Sequence, residues 1–106
     1  MVRYDISISE AAEHDLKEIK RYIAEVLEAP YSAIRIIALL HKGINDLAIY
    51  PKAGEIAPED SLSEMGVRIA HVQKYRVYYG VDEERKAVHI YAILHHLQDD
   101  EGRNIV

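Results

Sequence analysis

The sequence predicts an α+β domain: an N-terminal strand, an antiparallel two-helix hairpin and then a three-stranded antiparallel meander, with the helices on one face of the sheet. Two observations predict it. The C-terminal half carries three period-two runs, Val67/Ile69/His71, Tyr75/Val77/Tyr79/Val81 and Val88/Ile90/Ala92/Leu94, rich in β-branched and aromatic residues. The N-terminal half repeats apolar residues every three or four positions, the stripe of amphipathic helices. At 106 residues, 1–106 is expected to form one domain.

In chain order, residues 3–8 read as a strand because Tyr4, Ile6 and Ile8 share one face. A helix follows with Ala12, Leu16, Ile19, Ile23 and Val26 as its apolar stripe and Glu13, Lys17, Lys20 and Glu28 toward solvent. Ser7 with Glu10 has capping-box spacing, and Ser9 is the alternative cap. Pro30 interrupts the pattern, and Ser32 can cap a second helix through Ala33, Ile37, Leu40, Ile44 and Leu47. This helix is unusually apolar over "AIRIIALL", so one side of it either meets another protein or is sandwiched between sheet and first helix. Tyr50 and Pro51 end it, and the prolines, glycines and acids of residues 51–66 read as a surface loop with room for a short strand or turn. The strand connections "QK" and "DEERK" suit hairpins. Leu16, Ile19, Ile37, Leu40, Ile44, Val77, Ile90 and Ala92 are expected in one core.

Composition narrows the chemistry. The formal net charge of -5 disfavours a broad nucleic-acid surface, which gains affinity by neutralising phosphates. The charge is uneven: residues 61–106 hold six Lys/Arg against seven Asp/Glu, leaving scope for a basic patch at Arg68, Lys74 and Arg76. The absence of cysteine excludes disulfides, thiolate catalysis and thiolate zinc sites. No apolar run is long enough to span a bilayer and the N-terminus lacks the pattern of a secretory signal, so a cytoplasmic location is expected. The six histidines include no i, i+4 helical pair, and there is neither a Gly-rich phosphate loop nor a Gly-x-Ser-x-Gly turn. No metal and no cofactor are therefore expected.

Four segments in register carry a family resemblance: "AAEHDLKEIKRYI" (11–23), "AIYPKAG" (48–54), "GVRIAHVQKYRVYYGVDEE" (66–84) and "VHIYAILHHLQDD" (88–100). The chain resembles the RelE/ParE superfamily of bacterial and archaeal toxins over nearly its whole length. The most specific marks are Gly-x-Arg before Tyr-Arg-Val-x-Tyr, the acidic turn after it, and Ile-Leu-His followed by Gln98 and Asp99.

The resemblance implies the toxin of a type II toxin-antitoxin module, carrying the α+β fold above and neutralised by a cognate antitoxin protein. ParE-like members poison DNA gyrase; RelE-like members cut mRNA in the ribosomal A site without metal. The long helical hairpin, Tyr50-Pro51-x-x-Gly54 and the "ILHHLQD" ending look more like the ParE side. The alternative is a ribosome-dependent mRNA endonuclease, and a third reading is a toxin-derived domain kept only as an antitoxin-binding partner.

If the chain is RelE-like, Arg68 matches the cationic position and His95 or His96 serves as acid or base; on either branch Lys74, Tyr75 and Arg76 are the candidates for contacting target or RNA. Glu64 and His71 are further candidates for the base. Metal-independent RNA cleavage needs a base for the 2'-OH, a cation for the phosphorane and an acid for the leaving oxygen, and imidazole titrates near neutrality. The chain departs from the nuclease pattern, however: it lacks the cluster of basic residues along the sheet, and no tyrosine follows Tyr91.

Overall fold

The computed structural model of the chain describes residues 2–99, 103, 105 and 106. In order, the elements are β1 (Asp5–Ile8), α1 (Glu10–Arg21) running into a π-helical turn (Tyr22–Val26), α2 (Pro30–Asp46), β2 (Glu55–Ile56), α3 (Asp60–Glu64), β3 (Arg68–Val72), β4 (Tyr75–Asp82) and β5 (Ala87–His95). The sheet runs β1-β5-β4-β3-β2, with β1 parallel to β5 and every other pair antiparallel. The expected α+β architecture is present, extended by β2 and α3 within the segment read as a loop. β1 lies beside β5 because the hairpin of α1 and α2 carries the chain across one face of the sheet before the meander begins.

One helix start uses a cap the sequence offered, and the other begins earlier than expected. Ser9 is the cap of α1, its Oγ accepting from the Ala12 amide at 3.0 Å, in place of the Ser7/Glu10 box. The second helix begins at Pro30, with no side-chain cap, so Ser32 sits inside its first turn. Proline at the first helical position has φ already set and loses an N–H that would have no helical partner there.

The stripe of α1 holds for Ala12, Leu16 and Ile23, all buried, and Ile19, partly so, but Val26 is 55 % exposed. The wider π turn delays rotation about the axis, and Val26 swings off the core side.

A bulge divides the core. Tyr78 pairs with Ala92 but Tyr79 with Ile90, so Tyr91 is an extra residue on β5. Before it, Val88 and Ile90 face the helices; after it, Ile93 takes that face while Ala92 and Leu94 turn to the other. The expectation of Val88, Ile90, Ala92 and Leu94 on one face therefore fails at Ala92, and with it the single core. Leu16, Leu40, Ile44, Leu47, Val77, Tyr79, Val88 and Ile90 pack between helices and sheet, with Ile19 and Ile37 at the margin. Ala57, Val67, Ile69, Tyr78, Ala92 and Leu94 form a second layer, covered by the segment around α3 and by Ile105. Gly80 allows the bulged Tyr91 to lie flat here: a Cβ on Gly80 would come within 2.5 Å of the Tyr91 hydroxyl.

Candidate functional site

Pairing Tyr75 opposite His95 and Lys74 beside His96 brings four of the sequence candidates to one corner of the sheet, where β4 begins and β5 ends. Strand alternation then separates them. Tyr75 and His95 point to the helix side, Tyr75 only 9 % exposed and meeting the His95 ring edge-on at 5.4 Å between centroids. Arg76 points to the opposite face, beside Tyr78 and His71. His96 and Lys74 are exposed, Lys74 on the turn that leads into β4 and His96 on the turn that follows β5.

Most of the polar capacity at this corner is used locally. The Arg76 guanidinium donates to the Tyr78 hydroxyl at 3.0 Å, the His96 carbonyl at 2.9 Å and the Gln98 carbonyl at 2.6 Å, so it staples the turn after β5. The His96 amide donates to the Lys74 carbonyl at 2.7 Å, and the His95 amide to Gln98 Oε1 at 2.7 Å. His95 Nδ1 accepts from the Leu97 amide at 3.2 Å, which places its remaining proton on Nε2. Its ring lies 4.4 Å from that of His96. Burial, and then the charges of His96, Lys74 and Arg76, hold the His95 imidazole below its ordinary value, so it is neutral at pH 7.

Arg68 stands elsewhere. It opens β3 opposite Tyr79, four residues along β4 from Tyr75, which is about 13 Å of strand from the histidine corner. Its Nη1 donates to the Gly54 carbonyl at 2.8 Å and reaches the Lys52 carbonyl at 3.5 Å. The Tyr79 hydroxyl completes the clamp by accepting from the Gly54 amide at 2.9 Å. Burial raises the Tyr79 phenol, while the Gly54 contact and the Arg68 charge partly offset it. Glu64 closes α3 and His71 sits exposed on the outer face, neither with the Arg68 guanidinium.

The sequence candidates thus divide into a corner group, Lys74, Tyr75, Arg76, His95 and His96, and a distant Arg68 that shapes the turn after α2. Sequence reasoning missed Asp15. This α1 carboxylate accepts from the Ile93 amide at 2.9 Å and pairs with Arg103 at 2.7 Å across a groove of 660 Å³ that His95, Tyr22 and Leu97 also line. Its only trace in the sequence is a charge adjoining the apolar stripe at Leu16. Among the described residues no group of three or more His, Asp or Glu side chains is placed to hold a metal ion, and no helix is long and apolar enough to cross a membrane.

Solved structures share this fold, among them the following three. The ParDE system of P. aeruginosa superposes with a TM-score of 0.72 at 18% identity, covering 90% of this chain and 98% of that one. The toxin-antitoxin complex RelBE2 of Mycobacterium tuberculosis gives 0.67 at 24% identity, covering 89% and 99%. An arginine-to-alanine mutant of E. coli toxin RelE in the free state gives 0.55 at 16%, covering 97% and 90%. A comparison with curated protein sequences finds no match. The family model of the ParE toxin of the type II toxin-antitoxin system, parDE, matches residues 6–100. With that match spanning most of its length, the chain belongs to the ParE toxin family of type II toxin-antitoxin systems.

Proposed function

We propose that this toxin acts in the cytoplasm by binding a protein target, with DNA gyrase as that target, and that a cognate antitoxin neutralises it. The observation that carries this reading is the division of the candidate catalytic groups. Cleavage of RNA without metal needs acid, base and cation within hydrogen-bond reach of one phosphate. Arg68 lies about 13 Å of strand from His95, and its guanidinium serves the Gly54 carbonyl. Arg76 lies on the face away from His95 and serves two carbonyls of the turn. The family match supports the ParE branch. The antitoxin partner is supported by the structures named as a ParDE system and as the RelBE2 complex.

One observation favours the RelE-like alternative: Lys74, Arg76, His95 and His96 gather at one corner, where burial and then the charges of the other three depress the His95 imidazole. A base kept neutral at pH 7 beside cations is a feature a ribonuclease would use.

Adding the purified chain to a gyrase supercoiling reaction and, separately, to translating ribosomes distinguishes the two. Inhibited supercoiling that persists in folded His95→Ala and His96→Ala variants is the expected result. Ribosome-dependent mRNA cuts that drop by roughly 100-fold or more in either variant would overturn the proposal in favour of the nuclease. Inactivity in both assays, with antitoxin binding intact, would favour a domain retained for the antitoxin alone.

A further inference from the structure

Arg103 and Ile105 straddle an edge of the sheet. β1 stops at Ile8, opposite Ile90, and the Ser9 amide takes the Ile90 carbonyl as the chain turns into α1. Among the described residues no strand accompanies β5 on that side from Tyr91 onward. Asp15 reaches into the space, its Oδ2 accepting from the Ile93 amide at 2.9 Å. The Arg103 Nη2 donates to both Asp15 oxygens, at 2.9 and 2.7 Å. The Asp15 side chain is only 11 % exposed, so its charge is held largely out of water. Two residues on, Ile105 is 6 % exposed and packs in the layer of Ala92, Leu94, Tyr78 and Val67 on the sheet's other face. Position 103 is thus tied to the helix side of β5 and position 105 to the outer side.

We propose that this edge is a docking site for an extended protein segment that reads basic residue, any residue, aliphatic residue, and that the chain's own Arg103 and Ile105 occupy it in cis. The chemistry is specified at both ends. Asp15 is a carboxylate fixed by a backbone amide and, with Arg103 seated, only 11 % exposed, so an occupant without a cation forfeits a bidentate ion pair. Ile105 joins an outer layer with Ala92, Leu94, Val67 and Ile69, an apolar environment that rejects a charged group at the second position. Spacing two residues apart fits because the occupant must cross the edge, and alternate residues of an extended chain lie about 6.6 Å apart. The intramolecular copy competes at the high effective concentration of a tethered segment. An incoming segment therefore sees an affinity reduced by the fraction of time the site stands open. This inference is independent of whether gyrase or the ribosome is the target.

The test uses the full chain and a fluorescein-labelled peptide of residues 98–106, followed by anisotropy. An Arg103→Ala/Ile105→Asp protein, shown by circular dichroism to be folded, should bind the peptide at least about tenfold more tightly than the unaltered chain does, since its site is vacated. Adding Asp15→Asn to that protein should abolish the gain, and a peptide with Glu in place of its arginine should not bind. Equal peptide affinity for the two proteins, or no binding to either at millimolar peptide, overturns the proposal. Should Ile105→Asp unfold the chain, Arg103→Ala alone leaves the apolar slot filled and must still raise peptide affinity; no rise is equally fatal.

Discussion

Replacing Tyr79 with Phe removes one oxygen and leaves the ring, which makes it a clean probe of the clamp on the turn after α2. Tyr79 is fully buried, and its hydroxyl is the acceptor for the Gly54 amide at 2.9 Å. Gly54 itself is buried, and the fit is tight: a Cβ there would stand 2.7 Å from both the Tyr79 hydroxyl and the Ile69 carbonyl. Tyr79→Phe therefore removes the acceptor of a buried N–H donor. The loss is then the desolvation penalty of that donor, about 1 to 3 kcal/mol. At about 4 to 8 °C per kcal/mol for a domain near this size, the melting temperature should fall by roughly 10 °C for a loss in the middle of that range. Urea unfolding at pH 7 with an unchanged m-value measures it directly. Arg68→Ala acts on the carbonyl of the same residue, Gly54, in the adjoining peptide plane, so the double variant should depart from additivity by about 0.5 kcal/mol or more. The phenol adds a pH signature. Its folded pKa is raised by burial above the ordinary 10.0. The neutral phenol is thereby favoured in the native state, and its stabilisation is complete below the unfolded value and lost as pH rises through the folded one. Tyr79→Phe should therefore flatten, though not remove, the alkaline decline, because buried Tyr75 is raised as well. A destabilisation under about 0.5 kcal/mol at pH 7, typical of a surface change, would refute the reasoning and mean that the Gly54 amide finds another acceptor.

Two further outcomes are expected. Leu40 is fully buried between α2 and the sheet, so Leu40→Ala should cost about 2 to 5 kcal/mol in urea unfolding; under half a kcal/mol would place it on the wrong face. The His95 imidazole is depressed below 6.5, first by burial and then by His96, Lys74 and Arg76. The unfolded chain thus takes the proton first as pH falls, and the stability present above pH 6.5 is lost as pH drops through the folded value. The native chain should accordingly lose more stability than His95→Asn between pH 7.5 and 5. Parallel stability curves for the two proteins would show that this ring does not titrate as its surroundings dictate.

Much of the architecture was legible because period alone separates helix from strand, and the six alternating or striped segments each kept their type. What failed were positions where one inserted residue changes phase. The π turn at Tyr22–Val26 turns Val26 outward, and the bulge at Tyr91 moves Ala92 and Leu94 to the second layer while bringing Ile93 in. Neither insertion has a sequence signal, since valine and tyrosine are as apt in a regular element as in an irregular one. Pro30 was legible as a boundary, but it opens a helix here as well as closing the turn before it.

The candidate site turns on the same bulge. Had β5 kept regular alternation through Tyr91, residues after it would share the phase of Val88 and Ile90, and His95 would point to the outer face with Arg76. That arrangement would set imidazole and guanidinium on one surface, as an RNA-cleaving site requires. The inserted residue instead sends His95 to the helix side against Tyr75. Arg76 remains on the outer face, holding the His96 and Gln98 carbonyls. Residue types at the corner suggested chemistry; one residue of register separates an imidazole and a guanidinium that straight alternation would have placed together. The groove that His95 faces is the one Asp15 and Arg103 bound. The same shift that takes the imidazole from Arg76 brings the Ile93 amide within 2.9 Å of Asp15. One backbone irregularity thereby weakens the case for catalysis and builds the edge at which an extended protein segment can dock.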